Sequence, residues 1–382
     1  MEIHSKLPNV GTTIFTTMSA LAVEHKAINL GQGFPSFPVD PVWGDLMKKH
    51  IDAGRNQYCP MPGLPELRNA LAQKVNSAYG SFVNPLSDIT ITAGATQAIF
   101  TAISAFIGEG DEVILFAPAY DCYAPAIELN GGVPVWMELR YPDYAIPWNE
   151  VNEKISDRTK MIIINHPHNP SGASISENDI TQLIEATRDT NIIVLSDEVY
   201  EHIIFDGREH LSVLKYPELA ERSMAVFSFG KTFHLTGWKM GYIISNPQLM
   251  AEFRKVHQYN VFCCNTPAQW ALTEYLENPN NYLSLPNFYQ EKRDRFNSLI
   301  ADSKFKIVPS AGTYFQLLNY SDITQENDVD VAIRWTMEHG VTGIPCSVFY
   351  PKATQDNVLR FCFAKDDDTL EKAAEILCNI KA

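Results

Sequence analysis

The chain has 382 residues, 45% of them hydrophobic and 20% charged, which is the composition of a soluble globular protein and excludes a disordered or fibrous one. This length exceeds what one hydrophobic core usually fills, so it predicts two or three domains. Thirty basic residues against 45 acidic ones give a formal net charge of −15. A charge of that sign disfavours binding to nucleic acid or to anionic membrane surfaces.

The cysteines favour a reducing compartment. There are seven of them, an odd number, and no two form a Cys-x-x-Cys pair, so the sequence indicates neither a disulfide framework nor a zinc ribbon. The first residues contain no apolar signal segment, and no apolar run approaches the roughly 18 residues that a membrane span needs. We therefore expect a cytoplasmic protein.

Short β-branched runs alternate with segments of helical spacing in the first two thirds of the chain. Near-continuous apolar runs of this length are typical of strands that are covered on both faces, as in parallel sheets. Between the first two runs, Ile99, Ile103, Phe106 and Ile107 share one face of a helix, and Ser176 has the position of a helix cap. This alternation predicts a large α/β domain with a mainly parallel, seven-stranded sheet. The runs cover residues 89–93, 112–116, 133–137, 160–164, 192–196, 224–228 and 241–245.

The pattern changes after residue 245. The spacing predicts helices over 268–278 and 287–301 and a closing helix over 367–381. Strands are predicted over 305–310, 312–318 and 358–364. This order predicts a smaller α+β domain beside the first.

Residues suited to chemistry follow five of the predicted strands. Ligands in open α/β sheets bind at the carboxyl ends of strands, so these residues form a candidate site. They supply unpaired amides at a helix start, an aromatic ring, an amide side chain, a carboxylate with a phenol, and amines with a hydroxyl. In chain order they are Ala95, Thr96, Tyr120, Asn169, Asp197, Tyr200, Ser228, Lys231 and Lys239.

Each of these residues alone also has a purely structural explanation. Asp197 could cap a helix, Tyr120 could pack, and a lysine such as Lys231 on a turn commonly has no specific role. Together, the segments Asn-Pro-x-Gly, Asp-x-x-Tyr and Ser-x-x-Lys-x5-Gly-x-Lys-x-Gly resemble, in order and spacing, the class I/II aminotransferases of pyridoxal phosphate fold type I. The resemblance covers nearly the whole chain. Residues 28–38, 118–123 and 359–367 are most similar to the kynurenine aminotransferase/glutamine transaminase K branch, and the opening segment is similar to that of its bacterial methionine aminotransferases.

The resemblance implies pyridoxal 5′-phosphate as the cofactor and transamination as the activity. Lys231 would bind the cofactor aldehyde as a Schiff base and then move the proton from the substrate's Cα. Asp197 would pair with the pyridine nitrogen, and Asn169 and Tyr200 would donate hydrogen bonds to the ring oxygen. Tyr120 would stack on the face of the ring.

The resemblance also implies how the cofactor phosphate is bound. The backbone amides of Ala95 and Thr96 would hold it together with the side chains of Ser228 and Lys239. Arginine is commoner in the family at the position of Lys239, and a lysine acts there as a point charge instead of a bidentate fork. Tyr58 matches a tyrosine that reaches the phosphate of the neighbouring subunit, so a homodimer with shared active sites is implied.

Arg360 matches the family arginine that binds the substrate α-carboxylate, and the backbone of Gly33 would lie close by. Relatives that prefer acidic amino donors bring a second arginine from the segment after the lysine turn. This chain has no arginine between Arg254 and Arg293. We therefore predict transamination of a large neutral amino acid, such as methionine, an aromatic residue, histidine, kynurenine or glutamine, with a 2-oxo acid acceptor. The residues expected around the side-chain pocket are Phe15, Phe34, Tyr58 and Tyr120.

Two alternatives remain open. The first is a cysteine-S-conjugate carbon–sulfur β-lyase that uses the same cofactor. The second is the ligand-sensing part of a transcription regulator, which the net charge of −15 disfavours because such proteins carry an additional basic module. Metal catalysis is not expected, because His166 and His168 have no further ligands at metal-like spacing.

The resulting prediction is the pyridoxal phosphate-dependent transferase fold type I. A large α/β domain would cover residues 39–284, and a smaller domain would combine residues 1–38 with 285–382. Lys231 and Asp197 would lie on the large domain, with Gly33 and Arg360 on the small one. The active site would therefore lie in a cleft that closes on the substrate.

Overall fold

The computed structural model describes residues 1, 4–8 and 10–381, and three sheets organise this part of the chain. The strands, in chain order, are β1 (Ile28–Asn29), β2 (Ile89–Thr92), β3 (Glu112–Ala117), β4 (Val133–Glu138), β5 (Thr159–Asn165), β6 (Ile193–Asp197), β7 (Ser223–Ser228), β8 (Gly241–Ser245), β9 (Lys306–Ile307), β10 (Phe315–Asn319), β11 (Val341–Thr342), β12 (Ile344–Pro345) and β13 (Val358–Cys362).

Helices fill the intervals between the strands. They are α1 (Ile14–Glu24), α2 (Val42–Asp52), α3 (Pro65–Tyr79), α4 (Ala95–Phe106), α5 (Tyr123–Leu129), α6 (Trp148–Lys154), α7 (Glu177–Thr187), α8 (Pro217–Ala220), α9 (Phe229–Thr232), α10 (Pro247–Asn260), α11 (Thr266–Leu276), α12 (Asn280–Leu283), α13 (Leu285–Leu299), α14 (Asp328–Glu338) and α15 (Asp367–Asn379). Short 3₁₀ turns cover Val213–Lys215, Thr236–Trp238 and Ser347–Phe349. Within the described ranges, no helix combines the length and the apolar character needed to cross a bilayer.

The large sheet contains all seven predicted strands, in the order β2-β8-β7-β6-β5-β3-β4. The five neighbouring strands β4, β3, β5, β6 and β7 are parallel to one another. Strand β8 is antiparallel to both of its neighbours, β2 and β7. Alternate residues of β5 enter different core clusters: Ile162 and Ile164 pack in one, and Met161 and Ile163 in the other. Both faces of the sheet are therefore covered, as the near-continuous apolar runs predict.

The second sheet is smaller and antiparallel, with the order β12-β13-β10-β9. The third sheet joins distant parts of the chain, because β1 pairs in parallel with β11 through Ile28 to Val341 and Asn29 to Thr342. These two sheets contribute to a third core cluster, which also contains Met18 from α1. The N-terminal segment thus packs with the C-terminal part of the chain, while the domain boundaries at residues 38/39 and 284/285 remain a prediction.

The register of the large sheet brings the candidate residues to one edge. Asn165 at the end of β5 pairs with Asp197 at the end of β6, and Asp197 pairs in turn with Val226 on β7. Ser228 at the end of β7 pairs with Gly241 at the start of β8. Because parallel strands end at the same edge of a sheet, the loops after β5, β6 and β7 meet above it.

Candidate active site

A cavity opens above this edge of the large sheet. The structure brings together at the cavity every residue that the sequence analysis selected from the five strand ends. The lining includes Ala95, Thr96, Tyr120, Asn169, Asp197, Tyr200, Ser228, Lys231 and Lys239.

Lys231 is presented by the short helix α9, which Ser228 caps by accepting a hydrogen bond from the Lys231 amide at 3.3 Å. The Lys231 amine Nζ lies 3.0 Å from the Tyr314 hydroxyl and 3.3 Å from the Gly33 carbonyl oxygen. Burial of the amine, with the positive charge of Arg360 nearby, lowers its pKa to about 8. A substantial fraction of the amine is therefore neutral near physiological pH, as a nucleophile or base requires.

Asp197 lies at the end of β6 and is 4% exposed. One carboxylate oxygen accepts a hydrogen bond from the Tyr123 hydroxyl at 2.5 Å, and the other accepts one from the Val199 amide at 3.3 Å. Burial raises the pKa of Asp197 to about 6, although the hydrogen bond from Tyr123 opposes this rise. At neutral pH the carboxylate is ionised and can pair with a protonated ring nitrogen.

A cup suited to an anion forms where α4 begins. Gly94 precedes the helix with a φ of 81°, and a Cβ atom there would lie 3.4 Å from the Nζ atom of Lys239. At Gly241 a Cβ atom would lie 2.7 Å from the Phe227 carbonyl oxygen and 3.1 Å from the Ala95 amide nitrogen. The two glycines allow Lys239 and β8 to approach the free amides of the helix start, where a phosphate binds favourably.

Arg360 lies on β13 and is 1% exposed. Its guanidinium donates to the Asn169 side-chain oxygen and to the Gly31 carbonyl oxygen, both at 2.9 Å, and stacks 3.9 Å from the centre of the Phe315 ring. Its Nε atom is buried and has no hydrogen-bond partner among the residues that the structure describes. A buried donor without a partner fits an anionic ligand such as a carboxylate.

Comparison with known proteins identifies the family. The pattern of aminotransferase class I and II matches residues 25–377. The chain belongs to this family. The predicted aminotransferase activity and the fold type I architecture are confirmed by this match and by the structural similarities that follow.

The aminotransferase is 49% identical to the methionine aminotransferase of Escherichia coli K12, over 98% of this chain and 97% of the relative. It is 35% identical to a kynurenine–oxoglutarate transaminase of Dictyostelium discoideum, over 97% of this chain and 94% of the relative. Among solved structures, YbdL from Escherichia coli, reported to have a methionine aminotransferase function, superimposes with a TM-score of 0.97. The identity is 48%, and the alignment covers 99% of both chains.

The substrate-side predictions concern residues around Arg360. The ring of Phe15 lies 5.2 Å from the guanidinium carbon, so the structure places it beside the predicted carboxylate site. The Gly33 carbonyl oxygen contacts the Lys231 amine, while the carbonyl oxygen of Gly31, two residues earlier, contacts the Arg360 guanidinium. Phe34 is 43% exposed, and its ring lies 5.2 Å from the Lys365 amine.

Tyr58 lies outside the cavity of its own chain. Its side chain is 83% exposed and packs edge-on against Phe262, with ring centroids 5.3 Å apart. This position leaves the tyrosine available to a second subunit, and its role toward the partner's phosphate remains a prediction.

Three residues of the site were not selected from the sequence. Asn165 donates to the Asp197 carbonyl oxygen at 2.9 Å and accepts from the Asn169 amide at 2.9 Å, so it fixes the loop after β5. Tyr123 was detectable, because it follows Tyr120 by three residues in the same segment. Tyr314 had no local indication, because 83 residues separate it from Lys231.

Proposed function

We propose that this aminotransferase uses pyridoxal 5′-phosphate to move the amino group of a large neutral amino acid, methionine first among them, to a 2-oxo acid. The observation that carries the proposal is the placement of Lys231, Asp197 and Arg360 around one site. These residues supply an amine with a lowered pKa, a buried carboxylate and a guanidinium with an unpaired donor. Aromatic, histidine, kynurenine and glutamine side chains belong to the same proposed substrate class.

The residues present fit this cofactor. The cup formed by α4, Ser228 and Lys239 suits its phosphate, Tyr120 suits its ring face, and Asp197 suits its pyridine nitrogen. When bound, the cofactor accepts the electrons that are released at the substrate's Cα.

Each side chain then has a defined task. Arg360 binds the substrate α-carboxylate and thereby orients the Cα–H bond. Lys231 Nζ takes the proton from Cα, since its lowered pKa increases the fraction of the amine that is neutral. Asp197, ionised above pH 6, keeps the ring nitrogen protonated.

The preference for a neutral side chain rests on what surrounds Arg360. Its guanidinium carbon lies 3.9, 5.2 and 5.8 Å from the rings of Phe315, Phe15 and Phe349. The sequence has no arginine from position 255 to position 292, where acidic-donor relatives provide a second cation. The similarity to the methionine aminotransferase of Escherichia coli supports methionine as the first substrate to test.

We also propose a homodimer in which Tyr58 reaches the partner's phosphate. The exposure of Tyr58 and its contact with Phe262 support this arrangement, because large exposed aromatic residues are common at interfaces. We propose the cytoplasm as the compartment, and the seven cysteines, all free, agree with a reducing environment.

The chemical assignment is tested at Lys231. Borohydride reduction of the protein with pyridoxal phosphate should attach the cofactor to Lys231, as read by peptide mass spectrometry. Lys231→Arg should abolish the attachment and lower transamination by at least about a hundredfold, because the base is lost. Lys255→Arg, at a surface lysine that is 69% exposed, is the matched control.

The substrate assignment is tested with a panel of amino donors. Loss of the absorbance of the lysine-bound cofactor should be fast with methionine and aromatic donors and slow with aspartate. Modification of a lysine other than Lys231, or a preference for aspartate, would contradict the proposal. Release of pyruvate and a thiol from a cysteine conjugate, without an oxo acid acceptor, would support the β-lyase alternative instead.

A further inference from the structure

We propose that Tyr314 is a positioning residue for Lys231: together with the Gly33 carbonyl, its hydroxyl receives the lysine amine once the amino donor has displaced it. This inference rests on the proposed function, because it assigns the place that Lys231 occupies while it moves the Cα proton. It adds a residue that lies far from the lysine in sequence and outside the motifs of the site.

The assignment begins with three short distances. The Tyr314 hydroxyl lies 2.6 Å from the Gly33 carbonyl oxygen, and the Lys231 amine lies 3.0 Å from that hydroxyl and 3.3 Å from the same carbonyl. A phenol has one proton to donate, and the Gly33 carbonyl can only accept. The Tyr314 proton therefore goes to Gly33, and the phenol oxygen accepts a hydrogen bond from Lys231.

This arrangement fixes the direction of the lysine lone pair. A neutral primary amine has two N–H bonds and one lone pair. When one N–H points to the Tyr314 oxygen and the other to the Gly33 oxygen, the lone pair has a single remaining tetrahedral direction. An amine that is held in this way is ready to take a proton, because the lone pair that accepts it is not engaged by either partner.

Tyr314 is itself held rigidly. It is fully buried, directly precedes β10, and packs edge-on against Tyr200, with ring centroids 5.3 Å apart and an interplanar angle of 89°. The ring of Tyr289 also packs against Tyr314, with ring centroids 5.9 Å apart. A hydroxyl on such a ring cannot move far, so it is a fixed reference for the flexible lysine chain.

The two groups that accept hydrogen bonds from the Lys231 amine, the Tyr314 hydroxyl and the Gly33 carbonyl, are linked to the predicted site of the substrate carboxylate. Phe315, next to Tyr314, pairs with Cys362 on β13, the strand that carries Arg360. The segment around Gly33 is bound to the same region, since the Cys362 amide donates to the Leu30 carbonyl at 2.7 Å. The group that binds the substrate carboxylate and the groups that receive the lysine therefore belong to one packed unit.

The charges that face Lys231 come from several elements. Arg360 on β13 and Lys239 after α9 lower its pKa, whereas Cys362 on β13 and Asp197 on β6 raise it. The Tyr200 ring also lies 5.8 Å from the amine. Against this fixed background, removal of the Tyr314 oxygen takes away an acceptor for the ammonium form, so the pKa of Lys231 should fall further.

The test compares Tyr314→Phe with Tyr289→Phe in the full-length protein. Tyr289 is 1% exposed and packs on Tyr314, and among the described residues it makes no hydrogen bond to Lys231, so it matches the loss of one buried hydroxyl. In the loaded enzyme, Tyr314→Phe should lower kcat about ten- to a hundredfold, with little change in KM for methionine. The acid limb of its pH profile should move to lower pH by up to about one unit.

A second readout does not depend on turnover. In protein loaded with pyridoxamine phosphate, Lys231 carries a free amine, and trace acetylation across a pH series, quantified by mass spectrometry against Lys255, gives its pKa. This pKa should fall in Tyr314→Phe and stay at the wild-type value in Tyr289→Phe. If Tyr314→Phe does not fold, replacement of Tyr314 by 3-fluorotyrosine keeps the hydroxyl as a weaker acceptor and should give a smaller shift in the same direction.

The outcomes separate the two proposals. Wild-type protein that transaminates none of the donors overturns the proposed function. Wild-type protein that transaminates, with Tyr314→Phe equal to Tyr289→Phe in kcat, pH profile and Lys231 pKa, overturns only the role of Tyr314. A Tyr314→Phe enzyme that loses cofactor while kcat and the Lys231 pKa stay unchanged in its loaded fraction also overturns that role.

Discussion

The two ionisable groups at the centre of the site have pKa values that burial moves toward neutrality from opposite sides. Asp197 rises to about 6 and Lys231 falls to about 8. In both cases burial disfavours the charged form. Asp197 acts in its charged form, whereas Lys231 must lose its charge before it can act as a base. A buried ionised carboxylate costs stability, and such costs are typical of functional sites.

This cost predicts that Asp197→Asn stabilises the cofactor-free protein. The pKa rises from the ordinary value of 3.8 to about 6 on folding, so the stability contribution of the carboxyl is complete below pH 3.8 and is lost as the pH rises through 6. Above pH 6 the ionised group costs up to about 3 kcal/mol. Asparagine keeps an acceptor for Tyr123 and carries no charge.

Urea unfolding at a series of pH values measures this effect. Cofactor-free Asp197→Asn should be more stable than wild type at pH 7.5 and should lose that advantage below about pH 4. Its transamination should fall at the same time. Asp45→Asn, at an exposed position on α2, is the control, and a less stable Asp197→Asn protein at pH 7.5 would disprove the account.

At the scale of elements, the cavity depends on how closely β8 approaches the start of α4. A Cβ atom at Gly241 would meet three backbone atoms, the Phe227 oxygen at 2.7 Å and the Ala95 nitrogen and Gly94 carbonyl carbon at 3.1 Å. Backbone atoms cannot move away through a change of rotamer, as side-chain atoms can. The short distance between β8 and the start of α4 in the phosphate cup therefore requires glycine, which has no Cβ atom, at position 241.

Gly241→Ala should consequently weaken cofactor binding. We expect the dissociation constant for pyridoxal phosphate to rise at least about tenfold, because displaced amides no longer converge on the phosphate. The constant for pyridoxal, which has no phosphate, should change much less. Gly237→Ala is the matched control, since a Cβ atom there meets nothing within 4 Å, and equal affinities of the two variants would refute the role of the cup.

The sequence predicted the strands of this sheet but not their order. Apolar runs mark each strand because both faces of the sheet are buried, and the residues after the runs were found because parallel strands end at one edge. No local pattern shows that β8 enters between β2 and β7 in the antiparallel direction. The sequence did not indicate Tyr314 as a site residue for the same reason, because its contact with Lys231 is made by packing between distant segments.

At the scale of the whole molecule, the net charge of −15 conceals a cationic site. Lys231, Lys239, Arg360 and the amino end of α4 surround Asp197, so the cavity can take one phosphate and one carboxylate. The acidic remainder disfavours large polyanions elsewhere on the protein. A small anionic molecule is thus admitted where a polymer is not.

The proposed dimer predicts complementation between a chain that binds the cofactor weakly and a chain that is inactive. Tyr58→Phe should raise the dissociation constant of the cofactor by about tenfold, since a hydrogen bond to a phosphate is lost. Lys231→Ala should be inactive. In a hybrid of the two, one site has Lys231 from the first chain and Tyr58 from the second, so co-expression should restore activity at limiting cofactor.

Tyr259→Phe is the control for this experiment, because Tyr259 is similarly exposed at 91%. The activity of a hybrid formed from Tyr259→Phe and Lys231→Ala at limiting cofactor should not exceed the activity of the native sites that it contains. Absence of restored activity in the Tyr58 hybrid, or a fully active monomer by sedimentation, would rule out the shared site.

The pairing of β1 with β11 has a consequence for the order of assembly. Ile28 and Asn29 emerge early from the ribosome, yet their partners Val341 and Thr342 follow more than 300 residues later. The large sheet can form while the first segment waits, because its strands all lie between residues 89 and 245. Contacts of such long separation form late in folding. We therefore expect the phosphate cup of the nascent chain to form before Gly33 and Arg360 join the site, so that substrate recognition is gained last.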